Sequence, residues 1–487
     1  MSSLTMTLLA LVLVSDPTIW FGAPVRLDTF TDPTIGNTDI ASDGGSWICV
    51  VWDGRDGTEP EMAWASVSAD AGASWGIPWE ITDSENASPY KVRVCADTSG
   101  VFHAVWEDYR GPEPYAVYYS RSVDGGATWL QPNVRISIEG ARCYMPVISC
   151  DNEGDLLVCV YGNMDDNRRV YSTHSTDGGL TWEIGTPVGD STGLQYSAEV
   201  AYLGGSSFIA AWSDGRPTGG DSNIYCSISA DGGASWLQPN IPIPTGGYPV
   251  QHCSIRMDYN LTDLCLSWIS QFATRTIHAY VQYQRSTDGG LTWLPEPVRV
   301  DAGDEDWRRY GGVWSPPGGP IFASWCEHTG LEWPSWATCS MSLDGGMTWS
   351  DSPAVANPGT GEANTCALSG NDQDGSVYMC WNNQITGGVF FARADVQESI
   401  PEDPDFPSSL ITANPCPASG LVQIDLPEGI PGQVMVIDTA GRLVATLEAS
   451  GSGTDLIWDS SGSPSGVYSV RFQSGTWSST ARVVVFH

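Results

Sequence analysis

One octet governs what this chain can fold into. The pattern Ser-x-Asp-x-Gly-x-x-Trp occurs six times: SADAGASW (Ser68–Trp75), SVDGGATW (Ser122–Trp129), STDGGLTW (Ser175–Trp182), SADGGASW (Ser229–Trp236), STDGGLTW (Ser286–Trp293) and SLDGGMTW (Ser342–Trp349). Its aspartates, Asp70, Asp124, Asp177, Asp231, Asp288 and Asp344, follow one another at 54, 53, 54, 57 and 56 residues. A four-point pattern kept at one period means repeated supersecondary units whose cores form by packing copy against copy. The D-G-G tip supplies the positive φ of a tight hairpin, Ser and Asp side chains can bond the turn backbone, and the Trp packs beneath it. The octet is therefore scaffold, and its aspartate is not a catalytic candidate.

A second periodic element precedes each octet. Short apolar strands end in an aromatic residue at Trp52, Trp106, Tyr161, Trp212, Trp268, Trp325 and Trp381. There are seven such ends against six octets, which predicts an all-β, seven-bladed β-propeller; counting octets alone gives six blades as the alternative. Low charge (16%), 22 Trp and 54 Gly agree with strands and tight turns rather than surface helices. Blade 7 lacks an octet and a fourth strand. The stretch Ala23–Asp28 (APVRLD) matches the fourth strands of other blades, so an N-terminal strand is expected to complete the last blade and close the ring.

The octets resemble Asp-box (BNR) repeats, found in sialidases and other propellers, over residues of about 23 to 396. In a sialidase that resemblance would imply three arginines on the sugar carboxylate, a Tyr nucleophile assisted by a Glu, and an Asp acid/base. Two departures weigh against that chemistry: the F/Y-R-I-P motif is replaced by APVRLDTF, which carries Arg26, and there is one blade too many. Tyr144, Tyr196, Tyr248 and Tyr310 are candidate tyrosines, but nothing in the sequence pairs one with a Glu, so no catalytic residue is assigned.

Residues 397–410 (QESIPEDPDFPSSL) have the composition of a Pro-rich acidic linker. Residues 411–487 then read as a small β-sandwich with no octet. Asn414-Pro415, the D-x-x-G-R of Asp438–Arg442, Gly466-Val467-Tyr468 and a terminal β-run together resemble the C-terminal sorting domain of the type IX secretion system. Arg482 stands where a Lys is common. The resemblance implies a bacterial protein, secreted or held at the cell surface, with the type IX secretion machinery as a partner. Residues 1–22 fit a cleaved signal peptide around the apolar run Met6–Val14, although no basic residue precedes it.

Thirteen cysteines form no C-x-x-C. Cys366 and Cys380, set symmetrically about the NDQDG turn, are a candidate hairpin disulfide. The net charge of −36, with Lys91 the only lysine, excludes nucleic acid as a partner, and no apolar run is long enough for a transmembrane helix.

Chemistry is expected on the face carrying the loops between second and third strands. There an Asp-x-Arg recurs: Asp53-Gly-Arg55, Asp108-Tyr-Arg110, Asp166-Asn-Arg168 and Asp214-Gly-Arg216. One reading is a ring of arginines (Arg55, Arg110, Arg216) for a carboxylate or sulfate ligand. The reading favoured by repetition from blade to blade is a local pair holding each loop. Trp307 and Trp333, with Arg308, Arg309, Tyr310 and Glu332, form a second candidate sugar patch on blade 6, because aromatic faces beside charges suit saccharides. No cofactor is expected. Calcium at Asp372-x-Asp374-Gly375 or Asp304-Glu305-Asp306 is weighed against simple turns, which are favoured. The function expected is recognition of an extracellular glycan or polymer; the alternative is a sialidase-like exo-glycosidase.

Overall fold

A computed structural model describes residues 18–397 and 412–485, apart from short stretches that include 111–114, 217–222, 251–254, 272–278, 302–306, 329–334 and 358–362. The chain divides into two compact units, up to Ser399 and from Ile400. Among the described residues no helix is long and apolar enough to cross a membrane.

The first unit is a seven-bladed propeller. Blade 1 is built from Pro33–Ser42, Ile48–Asp56, Met62–Ser68 and Trp79–Glu80, hydrogen-bonded in that order, and the next five blades repeat this antiparallel meander. The first strand of each blade packs on the first strand of the next, and that of blade 7 (Ala363–Gly370) returns to blade 1. The second strands lie between two neighbouring blades, and those of blades 2 and 3, Phe102–Asp108 and Leu157–Asn163, are buried at every position. This explains their continuous apolar runs and the strand-end aromatics. Trp52, Trp106, Trp212, Trp268, Trp325 and Trp381 are all fully enclosed. Truncating one of them to Ala costs about 3–5 kcal/mol by analogy with other buried aromatics.

Closure uses the N-terminus, as expected, and begins earlier than expected. Val25 and Arg26 pair with Phe391 and Phe390, and Thr18–Phe21 pairs with Ala394–Gln397 further along the same strand. Thr18–Phe21 thus belongs to the ring although it lies inside the stretch assigned to the leader; Met6–Val14 lies outside the described residues. The Arg26 guanidinium bonds Asp28, whose Oδ2 in turn accepts the Val389 amide at 2.7 Å.

Each octet is a hydrogen-bonded knot. In the second, Ser122 Oγ donates to Asp124 Oδ1 (2.8 Å) and accepts the Gly126 amide (2.8 Å), while Asp124 accepts both the amide and the hydroxyl of Thr128 (2.9 and 2.5 Å). The octet tryptophans staple each blade to the preceding one: Trp182 meets Tyr119 edge-on at 4.9 Å, Trp349 meets Tyr283 at 5.2 Å, and Trp75 of blade 1 meets Phe391 of blade 7 at 4.8 Å. The second glycine is required twice over. Gly346 has φ +86°, and a Cβ there would lie 2.0 Å from the Tyr283 ring.

Cys366 and Cys380 do not face each other. Cys366 pairs with Trp381 and Ala367 with Cys380, so the two thiols point to opposite faces of the sheet. Cys366 packs toward blade 6 and Cys380 toward blade 1, and no disulfide joins the two.

The second unit is a β-sandwich. One sheet joins Thr412–Asn414, Leu421–Asp425 and Asp455–Asp459; the other orders Leu443–Ser450, Pro431–Asp438, Gly466–Ser474 and Trp477–Val485. Val422, Ile424, Val434, Val436 and Val470 fill the space between, and Trp458 meets Tyr468 edge-on at 5.2 Å. Asn414 and Gly466 lie in its strands; Pro415 and residues 439–442 of the D-x-x-G-R motif lie outside the described residues, as does the linker from 398 to 411.

Candidate functional site: an axial mouth

The first strands carry β-bulges at corresponding places, on the face where the loops between second and third strands emerge. The register breaks between Ile35 and Thr38, Tyr90 and Arg93, Tyr144 and Val147, and Tyr196 and Glu199. In three consecutive blades a non-glycine residue of the bulge adopts the left-handed region: Lys91 (φ 56°), Met145 (φ 51°) and Ser197 (φ 48°). Each such residue is strained by about 1 kcal/mol or more and persists only where its surroundings fix it.

The surroundings come from the residue that follows the strand-end aromatic, which reaches across to the next blade. Glu107 accepts the Met145 amide at 3.2 Å. Asn382 donates to the carbonyls of Ile35 and Gly36 at 3.3 and 3.1 Å. Asp53 is buried beneath the bulges and takes backbone hydrogen bonds from Val92 and Asn37; burial pushes its pKa up to about 7, against the opposing pull of Lys91. Burial also raises Glu107, which the Met145 amide and Tyr109 hydroxyl partly offset.

These bulges line a small axial hollow of about 50 Å³ that opens to solvent. Its wall includes Asn37, Lys91, Met145, Ser197, Glu199 and Arg256. Below the mouth an ion network crosses the axis. Arg93 Nε donates to Asp39 Oδ2 at 2.9 Å, and its Nη2 donates to both oxygens of Glu199 at 3.0 and 3.1 Å. Arg256 Nη1 reaches the same Glu199 Oε1 at 2.8 Å. Blades 1, 2, 4 and 5 thereby share one network. Burial, followed by the Arg93 charge, lowers the Arg256 pKa, so this guanidinium sits where a further anion would relieve it.

The Asp-x-Arg residues do not assemble into a ring. Arg110 bonds Asp108 Oδ2 (2.8 Å), Asp83 and Asn133 Oδ1 (3.1 Å), and lies over the Tyr118 ring at 4.3 Å. Arg216 repeats the clamp: Asp214 Oδ2 at 2.9 Å, Asp190 at 2.8 Å, Asn240 Oδ1 at 3.1 Å and the Tyr225 ring at 3.7 Å. The strand-end Trp106 and Trp212 donate to the same Asp108 and Asp214. Blade 1 has its Asp one residue earlier, so Asp53 points to the other face and becomes the bulge support; Arg55 is exposed, with no ion pair among the described residues. In blade 3, Asp166 accepts the Tyr171 hydroxyl at 2.5 Å and Arg168 lies over the Tyr196 ring at 4.8 Å.

The blade 6 patch is corrected in one part. Arg308 is 2% exposed; its guanidinium lies 3.2 Å from Asp301, donates to the Ala279 carbonyl at 3.2 Å and to Glu327 at 3.4 Å, so it is an interior ion pair unable to meet a ligand. Arg309 is partly exposed and pairs in register with Cys326. Trp307 pairs with His328 through its backbone. Its side chain, those of Tyr310 and Tyr248, and the whole of Glu332 and Trp333 lie outside the described residues. Tyr144 is buried, its hydroxyl on the Gln195 carbonyl at 3.3 Å. Asp374 accepts the Ser376 amide at 2.8 Å and Arg393 at 3.1 Å, Asn371 closes the turn by accepting the Gly375 amide at 2.9 Å, and burial and Asp43 hold Asp372 up at about 6. Among the described residues no cluster of three metal-ligating side chains occurs; Asp304–Asp306 lie outside them.

The BNR repeat-like domain family matches residues 54–251, and the secretion system C-terminal sorting domain family matches residues 412–486. The chain joins a BNR-repeat propeller to a type IX sorting domain. A bacterial protein with that sorting domain is secreted or held at the cell surface. No curated protein matches the chain. Among solved structures it is similar to a PL25 ulvan lyase at 13% identity, covering 75% of this chain and 95% of that one with a TM-score of 0.53. It is also similar to a protein of unknown function from Dyadobacter fermentans (13% identity, 78% and 99% covered, TM-score 0.47) and to a NanB sialidase variant from Streptococcus pneumoniae (11%, 78% and 70%, 0.40). The lyase shares the propeller fold at an identity that speaks to fold alone.

Proposed function

We propose that this protein is an extracellular recognition propeller whose axial mouth binds an acidic glycan. One observation carries the reading: in a chain of net charge −36, the only lysine and two arginines converge on one hollow formed by strained bulges. Strain held in place at a concave polar surface is a recurring mark of binding sites. Lys91, Arg93 and Arg256 supply charged donors for a uronate or sulfate, Asn37 and Ser197 supply neutral groups for hydroxyls, and Met145 and Val147 supply an apolar wall for a sugar face. A related fold crystallised with -[GlcA(1-4)Rha3S]-, an acidic saccharide, is consistent with this class.

A binding panel of uronate-containing, sulfated and neutral polysaccharides tests it. Lys91→Asn removes the charge while keeping a residue that tolerates positive φ. It should weaken acidic ligands by about tenfold, the value of one charge-assisted hydrogen bond. Unchanged affinity, or binding restricted to neutral glycans, refutes the proposal. The exo-glycosidase reading has one support: Tyr109 hydrogen-bonds Glu107, a Tyr–Glu pair beside the mouth. Burial raises that phenol rather than activating it. Turnover of a fluorogenic glycoside panel, led by a sialoside and abolished by Tyr109→Phe, would select this reading instead.

A further inference from the structure

The residue after each strand-end aromatic clasps the next blade through hydrogen bonds in blades 1, 2 and 7, by way of Asp53, Glu107 and Asn382. In blade 6 that position is Cys326, which follows Trp325. Across the interface it meets Cys366, beside the bulge of the first strand of blade 7. Both thiols are enclosed, 0% and 2% exposed, and their sulfurs are within hydrogen-bonding reach. A second pair also spans a blade interface, in a different arrangement. Cys95 of blade 2 and Cys150 of blade 3 lie on neighbouring first strands, pack in one core cluster and interact with each other.

Four thiols paired across two blade interfaces are unusual cargo for a chain bearing a secretion sorting domain, because the envelope it traverses is oxidising. We propose that the exported protein carries two inter-blade disulfides, Cys326–Cys366 and Cys95–Cys150. The oxidant is a dithiol–disulfide protein or small-molecule disulfide of the cell envelope. One cysteine thiolate attacks the oxidant's disulfide and forms a mixed disulfide, releasing one oxidant sulfur as a thiol. The partner thiolate then displaces the second. Two protons leave the cysteines, and two electrons reduce the oxidant to its dithiol. Because Cys150, Cys326 and Cys366 are buried in the closed ring, the exchange precedes docking of blade 7 on blade 6 and of blade 3 on blade 2. Cys380 is excluded as the partner of Cys366 because it faces blade 1.

The full chain is secreted from a host possessing the type IX system and, separately, retained in a reducing cytosol. Each sample is denatured without reductant, alkylated, digested and mapped by mass spectrometry. The secreted chain should give linked peptides joining Cys326 to Cys366 and Cys95 to Cys150, and the cytosolic chain should give all four alkylated. Cys380→Ser should leave the Cys326–Cys366 peptide in place. Alkylation of all four cysteines in the secreted chain, or a peptide joining Cys366 to Cys380, overturns the proposal.

Discussion

Replacing Arg216 by Ala separates a scaffold arginine from a ligand arginine. The Arg216 side chain is 19% exposed and its partner Asp214 is fully buried. Removing one member of a buried pair costs about 3–5 kcal/mol, because the other charge is left in a poor solvent. Three donors remain on Asp214, the residue-216 backbone amide at 2.8 Å, Trp212 Nε1 at 3.1 Å and Gln195 Nε2 at 3.0 Å, and they reduce that figure. The stacking on Tyr225 adds about 0.5–1 kcal/mol, and the half-exposed Asp190 pair adds little. A net loss of about 3 kcal/mol follows. With an unfolding entropy of about 2.1 cal/mol/K per residue, a propeller of roughly 380 residues melts about 4 °C lower for that loss. Calorimetry of wild type, Arg216→Ala and Arg216→Lys measures it, with Lys intermediate because it restores charge without the planar fork. Arg110→Ala should behave alike, and the double variant should be additive, since the two clamps share no partner. Glycan affinity should stay within twofold while the protein is folded. A melting shift below 1 °C together with lost binding would refute the clamp and restore the arginine ring.

Three further outcomes are expected. The octet aspartates are all held below the usual carboxylate range, Asp177 at about 2 through the hydroxyl and amide of Thr181. A lowered folded pKa gives stability that is present above the unfolded value and lost as pH falls through the folded one, so melting temperature should drop between pH 4 and 2, and less so in Asp177→Asn. Asp53 works in the opposite sense: its folded value of about 7 lies above the unfolded one, so its charge opposes folding increasingly up to pH 7. Asp53→Asn, which repeats the Asn382 of blade 7, should raise the neutral-pH melting temperature and flatten its dependence between about pH 4 and 7. Deleting residues 411–487 should leave the propeller folded, as shown by an unchanged melting transition, but retained in the envelope of a type IX host; unchanged release would remove the sorting role.

What the sequence showed depended on the kind of interaction. The octets and strand-end aromatics were legible because each blade solves the same packing problem with the same residue types, and seven aromatic ends correctly outvoted six octets. Even within the octet one point escaped notice: the Ser or Thr before each Trp, from Ser74 to Thr348, closes the aspartate knot in all six copies. The Asp-x-Arg motif misled by one residue. Asp108 and Asp214 stand two places after their tryptophans, on the same side of the strand, and form clamps. Asp53 stands one place after Trp52, and the two-residue period of a strand sends it to the opposite face. Counting from the aromatic rather than from the arginine would have separated the two classes and exposed the series Asp53, Glu107, Cys326 and Asn382 that reaches across blade interfaces. The axial mouth itself had no such signal. Lys91, Arg93, Glu199 and Arg256 are scattered over 166 positions of chain and meet only because first strands converge on the axis. Their positive-φ neighbours are not glycines, so nothing in the residue types marks the bulges. A repeat thus reveals what its copies share, whereas the proposed binding site is assembled from the positions where the copies differ.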